Sequence, residues 1–133
     1  MSARSKARKR ALDIIFEADS KGIPIPSVLA EHVHRRAAGG DPELNEYAVT
    51  LATGVAQNLA EIDALIAENS TGWSVERMPD VDRAIARIGT YELRFSEDVP
   101  KEVAIAEAVA LASDLSTDAS PAFINGLLVA IRS

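Results

Sequence analysis

Two histidines, His32 and His34, are the first residues to test for metal or general-base chemistry. Two positions apart on a helix, they project about 200° away from each other, so they cannot close on one ion. Both are expected at the surface. Acid pairs are more numerous: Asp80 with Asp82, Glu97 with Asp98, Asp114 with Asp118. None sits beside a nucleophile or an oxyanion motif, so they read as solvated charge on an acidic surface. Gly39-Gly40-Asp41 is not followed by Gly-Lys-Ser or Gly-Lys-Thr, so it is not a phosphate-binding loop. Serines are plentiful, yet no histidine stands in a setting that would activate one. The chain has no cysteine, which removes thiolate ligands, disulfides and cysteine nucleophiles together. Its single Trp73, in a turn, reads as a packing anchor. These residues point to no active site, no cofactor and no metal; the chain is expected not to be an enzyme.

Charge is more informative. The net charge of −6 hides a strong asymmetry. Residues 1–10 hold Arg4, Lys6, Arg8, Lys9 and Arg10 and no acid, while the other 123 residues carry nine cations against twenty acids. One positive end on an acidic body attracts a polyanion locally and leaves the rest of the molecule soluble. No apolar run approaches the roughly 20 residues that a membrane-crossing helix needs. Behind the basic start, Ala11-Leu12-Asp13-Ile14-Ile15-Phe16-Glu17 is amphipathic and carries acids, unlike a secretory signal. A soluble, cytoplasmic protein without membrane contact is expected.

The elements that must position these charges are helices. Hydrophobic residues make up 47% of the chain, but only six residues are aromatic, so the core must be largely Ala, Val, Ile and Leu. At 133 residues the chain suits one domain. Ala7, Ala11, Ile14, Ile15 and Ala18 share one face of a first helix over about 3–20, which Gly22 and then Pro24 and Pro26 end. A short helix from Ser27, with Val28, Leu29 and Val33 apolar, stops at Gly39-Gly40. Asp41-Pro42 reads as a cap and first-turn proline for the next helix. That helix runs through Leu44, Tyr47, Ala48, Leu51, Ala52 and Val55, with a bend or break before Leu59, Ile62, Leu65 and Ile66. A helix over about 79–95 carries Val81, Ala84, Ile85, Ile88, Tyr91 and Phe95. Another after Pro100 buries Ile105, Ala108, Val109, Ala112 and Leu115. The last opens at Ser120-Pro121 and buries Phe123, Ile124, Leu127, Leu128 and Ile131. No segment alternates in the manner of a strand. The prediction is an all-α fold: a single compact domain, 1–133, of about seven helices, with residues 1–10 a basic arm leading into the first.

Three segments, taken in order, carry a resemblance. They are Ala7-Arg8-Lys9-Arg10-Ala11-Leu12 leading to Ile15-Phe16-Glu17; Val81-Asp82-Arg83-Ala84-Ile85-Ala86-Arg87-Ile88 with Tyr91-Glu92-Leu93; and Asp98-Val99-Pro100-Lys101 through Val103–Val109 to Ser120-Pro121-Ala122-Phe123-Ile124-Asn125-Gly126-Leu127-Leu128. The ordered set resembles the transcription antitermination factor family NusB, and Leu51-Ala52-Thr53-Gly54-Val55 with Ile62-Asp63 agrees. The resemblance covers nearly the whole chain. It implies two small helical bundles that bind boxA-type leader RNA of ribosomal RNA operons together with NusE, a small-subunit ribosomal protein. The pair acts on the RNA polymerase antitermination complex without catalysis. Relatives occur as monomers and as homodimers, and the resemblance leaves both open. Two other readings stand beside it: the recruiting domain that precedes some ribosomal RNA cytosine methyltransferases, and a helical protein–protein module without RNA. The absence of a glycine-rich cofactor motif and of cysteine favours the adaptor over the enzyme fragment.

Residue roles follow from the resemblance, each weighed against a plainer one. Arg4, Lys6, Arg8, Lys9 and Arg10 would neutralise RNA phosphates; spread round the first helix, they suit a flexible strand. The start of the last helix would be a second RNA contact, its free N–H groups welcoming a phosphate. There Ser120 would cap or donate, Phe123 would stack on a base or pack in the core, and Asn125 would touch RNA. Gly126 would mark a close helix–helix contact. Where relatives carry Glu-Asp-Ser, this chain has Asp118-Ala119-Ser120, so no acidic side chain stands at Ala119. For NusE, Phe16 would be the hydrophobic anchor with Glu17 beside it, and Asp82 and Glu92 would offer acid to a basic partner. Asp82 would otherwise answer the dipole of its own helix. Arg83, Arg87 and Arg94 read as an exposed, ion-paired face.

Overall fold

A computed structural model describes residues 2–133. Seven α-helices and one short 3-10 turn account for it, and no strand occurs among the described residues. The helices fall into two compact units, the first reaching to Gln57 and the second spanning Asn58–Ser133.

The first unit holds α1 (Ala3–Lys21), α2 (Ile25–Ala38) and α3 (Glu46–Gln57). Ser2 caps α1 by accepting the Ser5 N–H at 3.0 Å, so the basic residues from Arg4 onward lie on helical turns. Gly22 closes the helix in the left-handed region (φ 67°), where its N–H and that of Ile23 reach the last free carbonyls. Ala7, Ala11, Ile14, Ile15 and Ala18 are all buried, as their spacing requires. The many alanines let α1 lie close along α3, whose Ala48, Leu51, Ala52 and Val55 are fully enclosed. From α2 only Ile25 and Val28 are buried, and Val33 is open to solvent.

The third helix starts at Glu46, not at Asp41-Pro42 as expected. The Asp41 N–H is held by the Arg36 carbonyl at 2.9 Å and the Pro42 carbonyl accepts from Arg36 Nε at 2.7 Å, so that dipeptide finishes α2. Asn45 is the cap: its side-chain oxygen takes the Tyr47 N–H at 2.8 Å, and its carbonyl takes those of Ala48 and Val49. The expected break falls at Asn58, a single residue between α3 and α4.

The second unit contains α4 (Leu59–Asn69), the 3-10 turn Val75–Arg77, α5 (Asp80–Arg94), α6 (Lys101–Leu115) and α7 (Ser120–Arg132). Helix α5 is its axle, packed against α4, α6 and α7. Three neighbours leave little of it exposed, and every residue from Ala84 to Thr90 is buried, well beyond the stripe expected from Ala84, Ile85 and Ile88. A central helix needs a small residue where others cross it. Gly89 is that residue: a Cβ there would stand 2.7 Å from Leu128 Cδ1 and 3.5 Å from the Ala108 Cβ. The glycine expected to do this, Gly126, is exposed and a Cβ there would meet nothing within 4 Å. Leu115 is likewise exposed at the end of α6, and Ala104 and Leu111 join Ile105, Ala108 and Ala112 inside.

Candidate nucleic-acid interface

The five cations of α1 divide by helical position. Arg4 and Arg8, one turn apart, turn towards α3, where their guanidinium carbons lie 4.2 and 5.6 Å from the centroid of the Tyr47 ring. Such cation–π contacts are worth about 0.5–1 kcal/mol where exposed and more where water is excluded. Arg8 is only 3% exposed. It was expected to meet phosphate; its guanidinium is instead enclosed beside the Tyr47 ring, between α1 and α3.

Lys6, Lys9 and Arg10 occupy another face, at i, i+3 and i+4, and line a cleft of about 530 Å³ with Arg36 of α2 and the segment Glu43-Leu44-Asn45. Lys6 and Lys9 make no ion pair among the described residues, and Arg10 has only a loose one to Asp13 at 3.8 Å between two well-exposed side chains. Exposed pairs of that kind contribute little. Ala3, Ala7 and Leu44 give the cleft an apolar floor. Four cations against the single carboxylate of Glu43 make it an electropositive hollow in a size range that takes small ligands or a nucleotide. Arg36 was missed in the sequence, where the pair Arg35-Arg36 in the last turn of α2 was the available signal.

Farther along α1, Phe16 is 37% exposed. Glu17 beside it accepts from His32 at 2.9 Å and Lys21 at 3.1 Å. These bonds, that to His32 first, hold the Glu17 carboxyl below the usual value for glutamate. A lowered folded-state pKa contributes stability above the unfolded pKa and loses it as pH falls through the lowered value. Glu17→Gln is therefore expected to be less stable than the parent chain at neutral pH. The gap should close as the solution is acidified below the ordinary glutamate range, in urea midpoints taken across that range. A gap independent of pH would show that the charge of Glu17 is not what holds α1 to α2. His34, by contrast, is exposed.

In the second unit the expected acidic rim turns inward. Asp82 is 0% exposed. One carboxylate oxygen accepts from the Ser120 hydroxyl at 2.8 Å and the other from the Ser116 hydroxyl, which joins the first turn of α5 to both ends of the α6–α7 connection. Thr117 and Ser120 are hydrogen-bonded at 2.8 Å as well. Asp82 thus cannot present its charge to a partner, and neither can Glu92, which is also buried. Both expectations were carried over from the family resemblance, which says nothing of how deeply each acid is enclosed in this chain. Ser120 is corrected with them: it lies inside as the first residue of α7, makes no cap bond, and spends its hydroxyl on Asp82.

Phe123 lies between the two settings weighed for it. It is partly exposed, and its ring meets that of Trp73 edge-on at 4.9 Å. Asn125 is exposed on α7. Among the arginines, Arg83 pairs with Asp80 at 2.6 Å as expected and also donates to the Val75 and Met78 carbonyls. Arg87 is nearly buried and grips Asp63 of α4 through two bonds of 2.9 Å, so it is a tie between helices and not a surface charge. Among the described residues no group of three or more His, Asp or Glu side chains could hold a metal ion. No helix among them is long and apolar enough to cross a membrane.

Seven helices in two compact units, with one cleft of the first lined by Lys6, Lys9, Arg10 and Arg36, define a small all-helical protein carrying a local basic hollow. A family model described as the NusB family matches residues 5–133. The transcription antitermination protein NusB of Kineococcus radiotolerans is 50% identical over 131 residues, 98% of this chain and 93% of the relative. That of Clavibacter michiganensis subsp. michiganensis is 52% identical over 134 residues, 100% of this chain and 98% of the relative. Among solved structures, T. maritima NusB superposes with a TM-score of 0.84 at 31% identity, over 98% of this chain and 91% of that one. A chain from a crystal structure of the antitermination factors NusB and NusE in complex with dsRNA gives 0.82 at 25% identity, over 97% and 95%. The chain belongs to the NusB family of transcription antitermination factors.

Proposed function

We propose that the chain binds boxA-type leader RNA of ribosomal RNA operons together with NusE, as a non-catalytic cytoplasmic adaptor of the RNA polymerase antitermination complex. The carrying observation is the α1 cleft, where Lys6, Lys9 and Arg10 stand with their charges available for phosphate. Membership of the family and the likeness to a chain crystallised with NusE and dsRNA support the partners. Phe123 and Asn125 on α7 are the second RNA contact, where a half-open ring can take an unpaired base. Phe16 is the anchor for NusE, being a large apolar side chain left open on α1.

The test is an RNA-binding titration with boxA-type and scrambled oligonucleotides at two salt concentrations, each with and without NusE. Tighter binding of the boxA-type strand, most marked with NusE, is expected. Indifference to sequence under all four conditions would overturn the reading and favour a helical module without an RNA role.

A further inference from the structure

Beyond Arg10 the cleft opens into a second hollow of about 330 Å³. Arg10, Arg36 and Leu44 line both, so the two form one trough in the first unit. The second hollow adds Arg35 and His32 of α2, with Asp13 and Asp41 opposing them. Counted along the trough, five permanent cations (Lys6, Lys9, Arg10, Arg35 and Arg36) face three carboxylates, Asp13, Asp41 and Glu43. One of those carboxylates, Asp13, lies at a loose 3.8 Å from Arg10.

Arg36 is set for anion capture. Its Nε is bonded to the Pro42 carbonyl at 2.7 Å, which fixes the guanidinium plane, and its Nη groups have no ion pair among the described residues. A guanidinium held in this way loses less entropy on gripping a phosphate than one free to rotate. Arg35, next in the chain, is exposed and unpaired among the described residues.

We infer that Arg35 and Arg36 form a second phosphate clamp that carries the RNA strand from α1 onto α2. The strand follows the trough between the two helices and is not confined to the basic face of the first. This inference rests on the RNA-binding reading above and extends its site to residues of another helix. A concave trough with cations on both walls fits the backbone of a single strand, which can bend into it, better than a rigid duplex.

The experiment is fluorescence anisotropy with a labelled single-stranded boxA-type RNA and NusE, over a range of salt. Each lost phosphate contact lowers the slope of log K against log salt by about 0.7 for single strands. Arg36→Gln is expected to weaken binding about fivefold at about 0.1 M salt, and the Arg35→Gln/Arg36→Gln double variant about 25-fold, with slopes lower by about 0.7 and 1.4. Arg36→Lys should keep the slope, because it keeps the charge. The Arg35 side chain has no hydrogen bond or ion pair among the described residues, so Arg35→Gln alone carries the test should Arg36→Gln disturb the fold in a thermal melt. If the parent chain binds and the arginine variants match its slope, the clamp does not exist and the RNA-binding reading stands. If the parent chain binds no RNA, both fall.

Discussion

Replacing Lys6, Lys9 and Arg10 together by alanine is expected to weaken binding of single-stranded boxA-type RNA about a hundredfold at about 0.1 M salt. Three phosphate contacts at about 0.7 each remove roughly two units from the salt slope, and that slope sets the loss. The variant should melt at nearly the parent temperature, since Lys6 and Lys9 have no partner among the described residues and Arg10 only an exposed one. Arg8→Ala should behave in the opposite way. Its side chain is buried against Tyr47, so stability falls and the salt slope changes little. Equal slopes for the triple variant and the parent chain would remove α1 from the RNA path.

The largest effect on stability is expected from Asp82→Lys. The substitution puts an unpaired ammonium where a fully enclosed carboxylate met two serine hydroxyls. Removing one side of such a buried arrangement costs about 3–5 kcal/mol, a large share of a small protein's total. Asp82→Asn keeps the volume and one acceptor, and should cost about 1–2 kcal/mol through one lost charged hydrogen bond. The single Trp73, set edge-on to Phe123, reports on the same unit, so urea denaturation followed by its fluorescence measures both variants. A Lys variant as stable as the parent would mean that Asp82 can reach solvent, and its place at a partner surface would have to be reconsidered.

Asp82 also shows where a one-dimensional reading runs out. An acid in the first turn of a helix looks like a solvated answer to the helix dipole, and nothing within four residues says otherwise. What buries it arrives 34 and 38 positions later in the chain, when Ser116 and Ser120 fold over it. Arg87 fails in the same way, because its partner Asp63 lies on a different helix. By contrast the seven helices were legible, since apolar spacing is a local property. So was Gly22, where a left-handed residue was needed. The start of α3 was misplaced because two signals competed: Asp41-Pro42 has the sequence of a cap, yet Arg36 claims its backbone first. The basic face was half legible. Helical spacing alone could separate Lys6, Lys9 and Arg10 from Arg4 and Arg8, but only the α1–α2 packing puts Arg36 beside them.

The two units also differ in electrical sign. Up to Gln57 the chain has eight cations and seven acids; from Asn58 on it has six cations and thirteen acids. Diffusional encounter with a long polyanion is then selective before any base is read, because approach through the later helices is repelled. Stray transcripts should be poorly coated, and capture should quicken as ionic strength drops, with the early helices leading every productive collision.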